Sequence, residues 1–273
     1  MSKSPDIEAV GRLVREVAEA EILPRWRALE AHDIDTKSGP NDLVTIADRN
    51  AETLLSAALV DLYPGSRVVG EETFAADSTC LGHLGGDAPV WIIDPIDGTG
   101  AFTRGEENFA TMLAFVRGQS LDAAWILQPI CGDLYLAERG SGVRCHTSAG
   151  SYTALKPAPP ADPSRMTGIV SGYVELDGQR VDRDRQAGNF HRLEPMSCPG
   201  MDYPAVLRGD VHFTVYAKCL PWDHLPGLMM LHEAGWTFAK LDRSPYRVGD
   251  DAGGVMSAPS PAALEEIRQR LVF

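Results

Sequence analysis

The chain has 273 residues, 44% of them hydrophobic and 23% charged, with 38 Asp and Glu against 25 Lys and Arg and a formal net charge of −13. This suits one large globular domain or two halves sharing an interface, and the acidic balance excludes phosphate-backbone binding, which needs clustered Lys and Arg. No apolar run reaches signal-peptide or membrane-span length, and Cys80, Cys131, Cys145, Cys198 and Cys219 are scattered without CxxC spacing, so a reducing, cytoplasmic setting without a membrane partner is expected.

From about Ile7 to Ala31 the pattern predicts an amphipathic helix, with Val10, Leu13, Val14 and Val17 on one face. A polar loop, DTKSGPNDLVT, follows, and a second helix starts near Thr45 or Ala47 and stops before Pro64-Gly65. SRVVGEE reads as a short strand ending at Glu71 and Glu72, and PVWIIDP as a buried strand ending the same way. FATMLAFVRG and SLDAAWILQP form a hairpin turning at Arg117–Ser120, and GDLYLAERGSGVRC continues the sheet. The Pro-rich piece Leu155–Ser164 marks a boundary between an N-terminal half, residues 1–155, and a C-terminal half, 156–273. Beyond it MTGIVSGY, VHFTVYAK and GWTFAKLD read as strands. WDHLPGLMMLHEAG reads as a helix, as does SPAALEEIRQRL with Ser260 as N-cap. Helices and strands alternate in clusters without a P-loop or GxGxxG, which points to a layered α/β or α+β architecture rather than a nucleotide fold.

Carboxylates stand where apolar elements stop: Glu71 and Glu72 after RVVG, Asp94 and Asp97 after VWII, and Asp223 after CLPW. Carboxylates at buried ends are costly unless something cationic meets them. Hard oxygen donors with no Cys or His beside them favour Mg²⁺, and one carboxylate taken alone reads equally well as a turn or cap residue. The turn after Asp97 adds Gly98 and Thr99, whose N–H groups can hold phosphate oxygens. The Thr99 hydroxyl can orient a water if a carboxylate takes its proton, and Asp48 at the start of the second helix is the candidate. Glu71, Asp94, Asp97 and Asp223 together with Gly98-Thr99 thus suggest metal-assisted attack of water on phosphorus.

VVGEE, WIIDPIDGTGAF and PWDHLPGLMMLHEAG, with the loop KSGPNDLVTIADRNAE and the segment LAERGSGV, together resemble the inositol monophosphatase family of Mg²⁺-dependent, lithium-sensitive phosphatases. The resemblance runs over nearly the whole chain in the expected order. It implies an α+β fold, the five-layered αβαβα sandwich of the inositol monophosphatase/fructose bisphosphatase type, a homodimer, and two or three Mg²⁺ ions. It also implies metal ligation by Glu71, Asp94, the Ile96 carbonyl, Asp97 and Asp223, and water activation by Asp48 and Thr99. Phosphate would meet Gly98 and Thr99, substrate would also meet Asp97 and Asp223, and Lys37 matches the lysine of the family's mobile loop. Ile96 and Lys37 rest on the resemblance alone.

Departures cluster in the substrate pocket. Gly100-Ala101-Phe102 follow DGT, CPGMDYPAV stands where the sugar-binding stretch is expected, and Tyr216 replaces a glutamate seven residues before Asp223. A phenol cannot chelate vicinal hydroxyls as a carboxylate does. Pro226 is expected in the first turn of its helix, where a missing N–H is tolerated. The expected activity is hydrolysis of a small phosphomonoester, an inositol phosphate or related sugar or alcohol phosphate. Histidinol phosphate and phosphoadenosine phosphate are alternatives within the resemblance. A regulatory binding role with little turnover is the alternative of another class.

Overall fold

Asp6 caps the first helix, accepting the amides of Glu8 and Ala9, and Val10, Val14 and Val17 at helical spacing turn one stripe into the core. The computed structural model describes residues 4–272 except 38, 40, 41, 148–151 and 156. Its helices are α1 (Ile7–Val17), α2 (Ile46–Leu62), α3 (Glu71–Ala76), α4 (Thr99–Thr103), α5 (Arg183–Gln186), α6 (Pro199–Arg208), α7 (Pro221–Glu233) and α8 (Pro261–Val272). The expected helix over 7–31 is shorter: it runs as α to Val17, loosens through a π turn and ends in a 3₁₀ turn at Leu23–Arg25, because Pro24 cannot donate to a continuing ladder.

Strands β1 (Ile34–Thr36) and β2 (Leu43–Thr45) pair antiparallel around the polar loop. The expected loop is therefore a small ribbon at its ends, while Ser38, Pro40 and Asn41 lie outside the described residues. A seven-stranded sheet follows, built in sequence order from β3 (Arg67–Gly70), β4 (Pro89–Asp97), β5 (Ala110–Arg117), β6 (Ser120–Gln128), β7 (Asp133–Glu138), β8 (Val143–His146) and β9 (Tyr152–Ala154). Only β3 and β4 pair parallel; the remaining neighbours are antiparallel.

The C-terminal strands are β10 (Thr167–Val170), β11 (Tyr173–Leu176), β12 (Gln179–Asp182), β13 (Arg192–Pro195), β14 (Phe213–Tyr216), β15 (Thr237–Lys240) and β16 (Val255–Ala258). Five of them form a second sheet in the order β13-β10-β14-β16-β15, and β11 and β12 make a separate hairpin.

Strands β4, β5 and β6 are buried on both faces, so they read as continuous apolar runs. Trp91, Leu113, Phe115, Trp125 and Leu136 face α1 and α2. Met112, Ile126 and Tyr135 on the alternate positions face α6 and α7. Helix α7 is apolar on nearly all sides because it is walled in: Trp222 and Leu225 pack towards β3–β5 and Met230 and Leu231 towards the smaller sheet. The far face of that sheet is closed by α8 through Ile267 and Leu271. The layers run helix, sheet, helix, sheet, helix, an α+β sandwich.

Sequence reading placed β3 to β7 and the ends of α2, α7 and α8 well. It missed α3, α5, α6, β9, β11, β12, β13 and β16, short elements in which tertiary contacts override weak patterning. Helix α7 begins at Pro221, one residue before the expected stretch, so Pro226 lies in its second turn rather than its first. Its missing N–H therefore removes the bond to the Trp222 carbonyl. Helices α6 and α7 meet where Gly227 lies under the Tyr203 ring, and a Cβ at Gly227 would sit 2.0 Å from it. Gly227→Ala should cost about 1–3 kcal/mol from overpacking, read as a lower urea midpoint at unchanged slope; an unchanged midpoint would contradict the close packing of α6 on α7.

Candidate active site

Four chain segments converge at one end of the large sheet. Strand β4 carries Asp94 and Asp97 rather than stopping before them, and its pairing with β5 slips between these two residues, around Pro95. The bulge lets both carboxylates reach the same region although an even spacing would be needed to put them on one face. Gly98 then adopts φ +92°, and a Cβ there would come within 2.8 Å of the Asn108 carbonyl oxygen, so only glycine can start α4.

Asp48 enters from α2. Thr45 is the N-cap, its hydroxyl accepting the Ala47 and Asp48 amides while Asp48 Oδ2 accepts the Thr45 amide at 2.8 Å and the Thr45 hydroxyl at 2.5 Å. That reciprocal box leaves Oδ1 facing the site, where the Thr99 hydroxyl donates to it at 3.2 Å or to the Ile96 carbonyl at 3.0 Å. Asp48 is fully buried. Burial raises its pKa to about 6 against the hydrogen bonds from Thr45, which lower it.

Glu71 is the first residue of α3 and Asp223 the third of α7. Lys37, only 12% exposed at its side chain, bridges Glu71 Oε1 at 2.7 Å and Glu72 Oε1 at 2.6 Å. Burial alone would lower its pKa, but the two carboxylates outweigh burial and raise it. Glu72 is pushed up to about 7 by burial, opposed by Lys37. Asp94 is 1% exposed. Its carboxyl is held well above the usual range by burial, then by the charges of Glu71, Asp97, Asp223 and Asp48. Burial likewise lifts Asp97 to about 7, against the Gly200 N–H that it accepts through Oδ2, and lifts Asp223, with Asp97 and Glu71 adding to it.

The expected Glu71, Asp94, Asp97 and Asp223 are thus brought into mutual electrostatic range, with Thr99, Asp48 and the Ile96 carbonyl beside them. Among the described residues no three such side chains are closed into a ready metal cage, because Glu71 is turned onto Lys37 and Asp97 onto Gly200. The donor set nevertheless fits a hard cation. Asp94 Oδ1 is a buried oxygen with no hydrogen-bond partner, and repelling carboxylates around such an oxygen match what Mg²⁺ takes.

Tyr216, expected at the substrate, is the last residue of β14. It is 1% exposed, its hydroxyl donates to Asp202 Oδ2 at 3.2 Å, and its ring packs against His224, because β14 points it into the α6–α7 core. Two buried acids escaped sequence reading. Asp202, lifted by burial to about 7, lies in α6, which carried no clear helical pattern. Glu52 lies four residues after Asp48, so i,i+4 spacing on a buried face could have revealed it. Cys198 is a buried thiol raised by its surroundings, and its S–H points to the carbonyls of Asp97 and Asn108.

The model of the inositol monophosphatase family matches residues 3–272. The chain belongs to that family. An inositol-1-monophosphatase of Bacillus subtilis is 26% identical over 234 residues, spanning 85% of this chain and 84% of that protein. A fructose-1,6-bisphosphatase/inositol-1-monophosphatase of Thermotoga maritima is 26% identical over 224 residues, 82% of this chain and 80% of that one. A solved inositol monophosphatase structure from Thermotoga maritima superposes with a TM-score of 0.79 at 22% identity, over 97% of this chain and 96% of that one. The α+β sandwich is that of this family, and the chain is a phosphatase of the inositol monophosphatase type. Among the described residues no helix is long and apolar enough to cross a membrane.

The raised carboxyls set a pH dependence for this phosphatase without metal. Glu72, Asp97 and Asp202 near 7 and Asp48 near 6 compare with ordinary values of 4.5 for Glu and 3.8 for Asp. A carboxyl with a raised folded pKa holds more protons folded than unfolded, so stability falls as pH climbs from about 4 to about 8. In EDTA the melting temperature should be lower at pH 8 than at pH 5, and saturating Mg²⁺ should shrink the gap. A flat EDTA profile would contradict the buried, repelling arrangement.

Proposed function

We propose that the chain is a Mg²⁺-dependent phosphomonoesterase that hydrolyses a small phosphorylated sugar or alcohol. The observation that carries the reading is the Thr99 hydroxyl 3.2 Å from the buried Asp48 Oδ1, set beside the unpartnered Asp94 Oδ1. Glu71, Asp94 and the Ile96 carbonyl would hold one Mg²⁺, and Asp94, Asp97 and Asp223 a second. When bound, the ions supply an acidified water and neutralise charge on the phosphoryl and leaving oxygens.

The chain's own groups then act as follows. Thr99, donating to Asp48, has lone pairs left to accept a hydrogen bond from a water and so fix its oxygen towards phosphorus. Asp48, lifted to about 6 by burial, takes up the proton that the threonine relays, a value suited to base catalysis near neutrality. The amides of Gly98 and Thr99 hold phosphoryl oxygens at the start of α4. These contacts place the phosphorus against the water, which is most of what phosphoryl transfer asks of a protein.

On the substrate, Tyr216 directs its hydroxyl to Asp202, so the position that would carry a polyol-binding carboxylate offers none. This supports a phosphomonoester recognised through other groups over myo-inositol phosphate itself, with histidinol phosphate and phosphoadenosine phosphate among the candidates.

The test is phosphate release from inositol 1-phosphate, histidinol phosphate, fructose 1,6-bisphosphate and phosphoadenosine phosphate, each with Mg²⁺ and with EDTA. One substrate should turn over well above the rest and only with metal. On that substrate Thr99→Ala and Asp48→Asn should each lower kcat by about 10²–10⁴-fold with KM little changed. Turnover that survives EDTA, or either variant at wild-type kcat, would defeat the mechanism.

A further inference from the structure

Helix α3 presents Glu71 from its first position, yet its own N-cap, Gly70, has no side chain to satisfy the free amides there. The cap comes from another helix. Glu52 of α2, 4% exposed, accepts the Glu72 amide through Oε2 at 2.8 Å and, through Oε1, both the Thr73 amide at 2.7 Å and the Thr73 hydroxyl at 2.6 Å. Gly70 makes room for this: a Cβ there would lie 2.4 Å from Glu52 Cδ and 2.5 Å from each oxygen. A carboxylate facing first-turn amides also meets the positive end of the helix.

Glu52 and Asp48 stand four residues apart on one buried face of α2, about 6 Å along the helix axis. Asp48 meets Thr99, and Glu52 meets the two amides that immediately follow Glu71. One rigid helix face therefore fixes both the base and the backbone that bears Glu71. At its other end α3 is held independently by Phe74, whose ring lies 4.9 Å from that of Trp222.

We propose that Glu52 is a positioning residue for the cation site: by clamping the first turn of α3 it sets where the Glu71 carboxylate stands, without touching substrate or metal. The inference rests on Glu71 being a ligand, as proposed above. A carboxylate is required because a glutamine would keep one acceptor and turn an NH₂ donor towards an amide donor. Because Phe74 still anchors α3, losing the clamp should displace Glu71 rather than unfold the chain.

The experiment measures divalent-cation binding directly, by Mg²⁺ calorimetry and Mn²⁺ paramagnetic resonance, on wild type, Glu52→Gln, Gly70→Ala and Thr73→Val. Gly70→Ala pushes on the same carboxylate without altering its charge, and Thr73→Val removes one of its three donors. Glu52→Gln and Gly70→Ala should each weaken cation binding by about tenfold to a hundredfold, with Thr73→Val in between. At saturating Mg²⁺, KM for the phosphomonoester should stay at the wild-type value. Folded Glu52→Gln with wild-type cation affinity would overturn the proposal. If that variant does not fold, Gly70→Ala and Thr73→Val decide it, wild-type affinity in both overturning it. A wild type that binds neither ion would instead overturn the metal reading of the site.

Discussion

Mutual repulsion among buried carboxylates is the constraint around which the rest is arranged. Like charges gathered away from water disfavour one another's ionisation, and Glu71, Asp97, Asp223 and Asp48 all push the Asp94 carboxyl upwards, in addition to its burial. No folded chain gathers these groups for stability. Each is restrained by a device from a different part of the molecule: a capping box for Asp48, a lysine for Glu71, a backbone amide of α6 for Asp97, and the first turn of α7 for Asp223. Among the described residues, Asp94 Oδ1 is the carboxylate oxygen that is fully buried and yet has no hydrogen-bond partner, which puts it at the centre of the arrangement.

The packing explains how such restraint is sustained. Strand β4 is buried on both faces, and α7 is enclosed between the two sheets, so the elements carrying Asp94, Asp97 and Asp223 are held by apolar contacts rather than by one another. A site made of groups that repel has to be held by a scaffold that does not depend on them. Gly98 and Gly227 mark two places where the scaffold demands close approach, one for a left-handed turn and one for a ring.

How much of this was legible in the sequence depends on the range of the signal. The runs of β4 to β6 announced a doubly covered sheet because both of its faces are apolar. Glu71, Asp94, Asp97 and Asp223 stood out because each follows an apolar element. The DPIDGT run added Thr99 and Gly98. The orientation of Tyr216 was not legible, since a position counted back from Asp223 says nothing about which way β14 turns it. Pro226 was misplaced because a helix end is defined only to within one or two residues. Glu52 and Asp202 gave little warning: an acid inside a helix usually faces water, and only the tertiary structure supplies the amides and the phenol that let these two stay inside.

The site has one wall of backbone and one of ions. Asp94 and Asp97 sit in a strand paired with β5 on either side of its bulge, and Asp223 in a helix sealed between sheets, whereas Lys37 lies in the loop of a two-stranded ribbon of a kind that is marginal by itself. If Glu71 takes a cation as proposed, entry of the ion has to part Lys37 from Glu71, while no ladder bond of β4 or α7 need break. Loading the site is then an exchange of one charge for another rather than a local unfolding. Because Lys37 and both carboxylates are largely sheltered from solvent, salt acts on that exchange only weakly.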